Sequence, residues 1–340
     1  MLPKSLSILT NLKHREKRTY YLSVIAFFLF IAGLIAALYY STAQIDYVWR
    51  WYSIPQYFIF EDTIGIPSEI EGDVATITIT GDKAQITIKG VGETASYTVP
   101  SDGIIVYEGD MIYPGDTLAE YKEWKVGILL QGLWLTLKVS FIAIFFGILI
   151  GLFGGLARIS SNPAIKWSMI TYIELIRGSP LLVQIFIWYF VLGTLVNNLL
   201  AKNDFSQIPP LWFGVAALAC FSGAYVAEIV RAGIQSIHRG QDEASRSLGM
   251  TYIQSMVHVI LPQALRRIIP PLAGQFISLI KDSSLLGIIA IRELTKATRE
   301  IVTTSLQPFE LFFVCALLYL VLTFSFSMLL QYIERRTLDQ

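Results

Sequence analysis

The chain has 340 residues, 54% of them hydrophobic and only 15% charged, with a formal net charge of zero. Soluble domains carry about a quarter charged residues, so this deficit points to lipid, and a balanced charge gives no support to nucleic-acid binding. Cys220 and Cys315 fall inside apolar runs and form no disulfide or metal framework, and His14, His238 and His258 show no ligand spacing.

In chain order, the first element is an apolar run over 20–40 with paired tyrosines at both ends, preceded by Lys4, Lys13, Arg15, Lys17 and Arg18 against Glu16 alone. It is too long for a signal peptide and no small-residue cleavage site follows it. The expectation is a retained helix, occupying 1–42 with its N-terminal segment, whose N-terminus is cytoplasmic by the positive-inside bias. Further spans are expected over 129–156, 181–200, 211–229, 268–289 and 309–332, each near the roughly 20 residues a helix needs to cross. Arg335 and Arg336 in the tail suit a cytoplasmic C-terminus, and six spans return both termini to that side. The same count puts Arg292, Lys296 and Arg299 outside, where Ile291, Leu294, Ala297 and Ile301 have the spacing of an amphipathic surface helix.

Between the first two spans, over 43–125, acids outnumber bases by more than two to one and β patterning replaces the helical run. "VATITIT" and "AQITIKG" alternate around Gly81, Asp82 and Lys83, which predicts a hairpin. A second pair of strands is expected at "ASYTV" and "GIIVYEG", broken by Pro100 to Gly103. The stretch "GIIVYEGDMIYPGDTLAEY" resembles the closing hairpins of the biotinyl/lipoyl-like barrel-sandwich family. Lys83 is similar to that family's lysine turn, but it lies too far from Gly103, so a structural hairpin is the reading taken.

From Ser222 the chain reads "SGAYVAEIVRAGIQSIHRGQDEASRSLGMTYIQSMVHVILPQALRRIIPPL". This resembles the permease subunits of ATP-binding-cassette importers, in the polar amino-acid uptake branch. Their signature is a Glu-Ala-Ala loop with a glycine four residues on and an Ile-x-Leu-Pro ending. Glu243, Ala244, Gly249, Ile260, Leu261 and Pro262 match it, while Ser245 replaces the second alanine and Val259 alters the ending. "YIELIRGSPLLVQIFIWYF" and "SLIKDSSLLGIIAIREL" resemble two further segments of the branch, and the likeness runs from about Val126 to Arg336. It implies an all-α polytopic membrane protein of about six transmembrane helices. Its MetI-like permease core would occupy 126–340, with a small extracytoplasmic β domain inserted after the first helix.

The resemblance also implies a coupling loop over about 238–262 that lies in a cleft of a cytoplasmic ATPase. Ala244, Ser245 and Ser247 would let helices approach closely, Gly249 would permit the turn, and Pro262 would open the next membrane helix. Glu243 would offer a carboxylate to a basic partner. The implied partners are ATPase subunits, a second permease subunit (self or sister), an extracytoplasmic substrate-binding protein, an amino-acid substrate and membrane lipid.

No phosphate-cradling Gly-x4-Gly-Lys-Ser/Thr motif is present. No cofactor is expected in this chain, with ATP and magnesium bound by the partner ATPase. Charges within spans are costly and line pathways or pair with one another. Glu228 and Arg231 share a helix face, and Lys281 and Asp282, with Ser283, interrupt an apolar run. Opposite charges facing a cavity suit an amino acid, which carries an ammonium and a carboxylate. The alternative for these pairs is mutual neutralisation that holds helices together. The rival to the transport reading is a membrane sensor whose β domain binds a ligand; an intramembrane hydrolase would need a nucleophile and base at helix depth, and none is found.

Overall fold

The computed structural model describes residues 4–338, with the side chains of 1–18, 20 and 334–338 outside the description. The basic residues expected to orient the termini, Lys4 to Arg18 and Arg335 and Arg336, therefore lie outside the described side chains. The chain divides into a unit ending at Trp51 and a larger one starting at Tyr52.

The first unit is α1, Lys4–Ala43, followed by a short aromatic coil. Over Tyr21–Ala43 it is apolar enough to span a bilayer, and Tyr21, Tyr39 and Tyr40 stand exposed at its two ends. Trp49 donates from Nε1 to the Thr42 hydroxyl (3.2 Å) and stacks on Trp51 with ring centroids 5.6 Å apart, which folds the coil back on the helix end.

In the second unit, β1 (Ile59–Pro67), β2 (Gly72–Thr80), β3 (Lys83–Lys89), β4 (Thr94–Pro100), β5 (Met111–Ile112) and β6 (Thr117–Val126) form two sheets, β1-β6 and β4-β3-β2-β5. The expected hairpin is present: Thr80 pairs with Lys83 across Gly81-Asp82, with Gly81 at φ +62°. The expected second pair of strands does not form as such. β4 pairs with β3 instead, and after a 3-10 turn at Ser101–Gly103 the chain crosses to β6 through a bridge from Ile104 to Ala119. Gly103 permits the crossing, because a Cβ there would lie 1.7 Å from the Glu120 carbonyl oxygen. Alternating residues on the two sheets, among them Val74, Ile86, Ile88, Val99 and Leu118, close one core.

The barrel-sandwich likeness resolves into two copies of one turn. Tyr107 and Tyr113 each donate a backbone N–H to the carboxylate three residues on, Asp110 (2.8 Å) and Asp116 (2.9 Å), with Gly109 and Gly115 at φ +93° and +99°. β1 and β6 extend beyond this core as a ribbon paired from Ile59–Val126 inward. Its foot is fixed to the helices: Ile54 is buried among Leu129, Leu294 and Leu311, and the Ser53 hydroxyl donates to Gln307 (2.7 Å).

The helical core comprises α2 (Ile128–Arg158), α3 (Pro163–Arg177), α4 (Leu181–Phe186), α5 (Thr194–Lys202), α6 (Pro210–Gln235), α7 (Arg239–Ser247), α8 (Tyr252–Ser255), α9 (Leu261–Asp282), α10 (Leu294–Ser305) and α11 (Pro308–Leu338). A π segment joins α4 and α5 into one span, Leu181–Lys202. Six helices are long and apolar enough to cross a membrane among the described residues.

The central seam is α2 against α6. Gly147, Gly151 and Gly155 repeat every four residues, so they form one stripe that lets α6 approach closely. A Cβ on Gly151 would come within 2.3 Å of the Val226 side chain. The seam is parallel, since Gly147, Gly151 and Gly155 meet Ser222, Val226 and Val230 in turn. β6 enters α2 at one end, and α6 leads into α7 at the other, so the β segment and residues 239–262 lie at opposite ends of the bundle. The amphipathic helix expected near Arg292 is α10, with Leu294, Ala297, Thr298 and Ile301 buried.

Candidate functional site

The 239–262 loop folds as two short helices around a tight turn. The His238 imidazole caps α7 by accepting from the Gly240 N–H (3.1 Å). Thr251 and Gln254 form a reciprocal capping box on α8. Gly249 sits at φ +85° between them with open space where a Cβ would be, so the turn's backbone, and no crowding, selects glycine there.

Glu243 and Ala244 are exposed. Next to them in the chain, Leu248 is 83% and Ile253 72% exposed, with Tyr252 and Val257 also uncovered. The loop thus exposes the Glu243 carboxylate together with Arg239, Arg246 and several apolar side chains. Of the three small residues expected at the helix contact, only Ser245 is there. Its hydroxyl lies 2.6 Å from that of Ser255, while Ala244 and Ser247 face outward because they fall on the other side of α7.

Pro262 does not open a separate helix. α8, a π turn over Met256–Ile260 and α9 run on as one span, Tyr252–Ile289. At the π turn the Leu261 N–H donates to the Met256 carbonyl, five residues back. The ladder is already shifted there, so a residue without an N–H is tolerated. Leu261 is half-buried and Pro262 exposed at this junction.

Glu228 and Arg231 are brought together as their spacing predicts: both Glu228 oxygens accept from the Arg231 Nε at 3.1 Å. A partner absent from sequence reasoning, Arg158 at the end of α2, also donates to Glu228 and reaches Glu174 of α3 at 3.8 Å. Arg231 donates in turn to Gln235, and Arg177 lies over the Tyr225 ring at 5.2 Å. One carboxylate between two guanidiniums therefore ties α2 to α6, and α3 joins through Glu174. The available sequence signal for Arg158 was its place at the last turn of an apolar span.

Lys281 lies elsewhere. Because Gly233 of α6 meets Ile268 of α9 and Gly214 meets Leu286, Lys281 stands about eight residues, roughly 12 Å, from the level of Glu228. It lines a cavity of about 330 Å³ with Ser284, Thr295, Phe312, Cys315, Ala316 and Tyr319. Behind that cavity, fully buried Glu293 caps α10, accepting from the Thr295 and Lys296 N–H groups (both 2.7 Å) and from the Tyr319 hydroxyl (3.0 Å). Burial pushes the Glu293 carboxyl above the usual carboxylate range, and these hydrogen bonds oppose the shift. Asp282 is half-buried, and Ser283 does not face the cavity: it is buried and donates its hydroxyl to the Ile280 carbonyl (2.7 Å).

The uncovered face of α9 carries Gln263, Arg267, Gly274 and Lys281, whose intervals of four and seven residues keep them on a single helix side. Residues 143–339 match the model of the family described as binding-protein-dependent transport system inner membrane component. The chain belongs to that family. It is a permease subunit of an ATP-binding-cassette importer, a transport subunit whose ATP is hydrolysed by a partner ATPase, which favours transport over the sensor reading.

The permease is 39% identical over 207 residues to the probable glutamine ABC transporter permease protein GlnM of Bacillus subtilis, covering 61% of this chain and 92% of that one. It is 37% identical over 211 residues to the glutamine transport system permease protein GlnP of Escherichia coli, covering 62% and 93%. Among solved structures it is similar to one described as an amino acid ABC transporter with histidines, at 43% identity and a TM-score of 0.55, covering 62% and 94%. The family, with the six apolar helices, makes it a multi-pass inner-membrane protein.

Proposed function

We propose that this permease forms one half of an amino-acid pathway, completed by a second permease subunit, with residues 239–262 seated in the cytoplasmic ATPase. The polar face of α9 carries the reading. Membrane helices expose polar side chains to water or protein and not to lipid, and Gln263, Arg267 and Lys281 are uncovered in this chain, on the same side as Gly274. α2 and α11 instead expose Phe141, Phe145, Leu317 and Phe324, side chains suited to lipid. Amino-acid cargo is supported by the relatives, which are named for glutamine and other amino acids.

Lys281 faces its cavity as a cation for the substrate carboxylate, with Asp282 and Ser283 shaping the helix end behind it. Glu228, ion-paired with both Arg231 and Arg158, closes the pathway nearer the coupling end. ATP and magnesium are bound by the partner subunits, and both termini of the permease are cytoplasmic. The β segment, at the end of the bundle opposite the coupling loop, is extracytoplasmic and stands where a loaded binding protein docks.

Cysteine accessibility tests the pathway. In a Cys220→Ala, Cys315→Ala background, Gly274→Cys and Lys281→Cys in the assembled transporter should react with a hydrophilic maleimide. Phe145→Cys and Phe324→Cys should not. Equal inertness at all four positions would place the α9 face in lipid or in a dry contact and remove the reading.

A further inference from the structure

Two buried hydroxyls join the halves of the coupling loop. Ser255 is fully buried and donates to the Asp242 carboxylate (2.7 Å). Its single proton is thereby committed, so Ser245, 4% exposed, donates to the Ser255 oxygen (2.6 Å) and shares that one proton with the Asp242 carbonyl (2.8 Å). The relay ends on an anionic acceptor, and such hydrogen bonds are the stronger kind. The importer signature has an alanine at position 245, which makes no such bond.

A second side-chain link from α7 to α9, in which Gln263 Nε2 donates to Gln241 Oε1 (3.2 Å), is exposed to solvent. α7 has nine residues and α8 four, lengths at which helices are marginal alone. The Gly249 turn between them has no neighbour within 4 Å of where its Cβ would be. α8 continues through the π turn into α9, which carries the polar face and Lys281. A link from α7 to Ser255 is therefore a link from the Glu243 surface to the pathway helix.

We propose that Ser245 and Ser255, oriented by Asp242, are positioning residues that make the coupling loop and α9 move as one body. The proposal rests on the reading of 239–262 as the coupling element. Without the relay, a displacement of α7 by the ATPase dissipates in the Gly249 turn, and each ATP moves less substrate.

The test uses the permease reconstituted with its ATPase and binding protein, reading hydrogen exchange of the 248–255 amides, uptake per ATP hydrolysed, and melting temperature. Ser245→Ala and Ser255→Ala should each speed exchange between about threefold and tenfold, the range that one hydrogen bond supplies, and lower uptake per ATP by a similar factor. Asp242→Asn keeps an acceptor oxygen but loses its charge and should fall between wild type and the serine variants, whereas Asp242→Ala should behave like the serine variants.

The triple variant Asp242→Ala, Ser245→Ala, Ser255→Ala leaves no member of the relay unpaired, so its melting temperature should recover while uptake per ATP stays low. Recovery of both together would make the serines mere packing and overturn the proposal, as would unchanged exchange in the single variants. Glu243→Lys separates the two readings. Full uptake in that variant removes the coupling role itself; lost uptake there, with inert serine variants, removes only the relay.

Discussion

Gly249 and Glu228 show two ways in which one side chain, or its absence, constrains this permease. At Gly249 the constraint is backbone, with φ +85° and free space around the missing Cβ. Gly249→Val therefore imposes a left-handed strain of about 1–3 kcal/mol on a β-branched residue. The variant should insert normally but lose coupled uptake, while Gly249→Asn, which tolerates that region, retains most of it; equal uptake in the two would contradict the backbone argument. At Glu228 the constraint is charge: removing the carboxylate leaves Arg158 and Arg231 facing each other without their common partner. Glu228→Gln should lower uptake per assembled transporter and the melting temperature together, and Arg158→Gln added to it should cost less than the two single losses summed. Strict additivity in that double-mutant cycle would mean that the pair does not act as a unit. The Glu228–Arg231 pairing was legible from spacing three apart, since both residues are on α6. Arg158 was not, because it comes from a helix seventy positions away and sequence distance carries no sign of the glycine stripe's closeness.

Among the elements, the α2–α6 seam and the α10 cap set how the spans are held. Gly151→Val forces methyl groups into the Val226 side chain and should destabilise the bundle by about 1–3 kcal/mol, as overpacking does, read as a lower melting temperature in detergent. Glu293→Ala removes the α10 cap and the partner of Tyr319, costing about 0.5–2 kcal/mol for the cap alone; a melting temperature equal to wild type would show that α10 is held without it. The spans themselves were readable from hydropathy, and α10 from its apolar spacing. Two elements were not readable, each for a physical reason. Pro262 carries a helix-start signal, yet the π turn absorbs its missing donor and α8 continues into α9. The strand after Pro100 has β composition, but the chain leaves β4 by a close crossing at Gly103 that no local pattern announces.

In the whole molecule, charge and connectivity separate the ends. The β segment over 59–126 has thirteen acidic residues against four basic ones in a chain of zero net charge, and it enters the bundle opposite the coupling loop. Its two ends, Ile59 and Val126, are register partners, so 60–125 can be replaced by a short flexible linker without disturbing Ile54 and Ser53 at the foot. Such a protein should insert and bind its ATPase, but show weaker stimulation of ATP hydrolysis by loaded binding protein. Its response to salt should also be flatter, because an acidic surface mainly speeds encounter; unchanged stimulation and salt response would leave the segment without a docking role. The permease architecture was legible because its motifs are local and ordered along the chain. The relay through Ser245 and Ser255 was not, because it depends on two helices folding back on each other. The most direct test of the whole account is uptake in proteoliposomes holding the permease, its ATPase and its binding protein, assayed with a panel of radiolabelled amino acids. The account predicts accumulation of at least one amino acid that requires both ATP and the binding protein and is lost in Glu243→Lys. No amino acid accumulated by a fully assembled, ATP-hydrolysing complex, or accumulation indifferent to ATP, would contradict it.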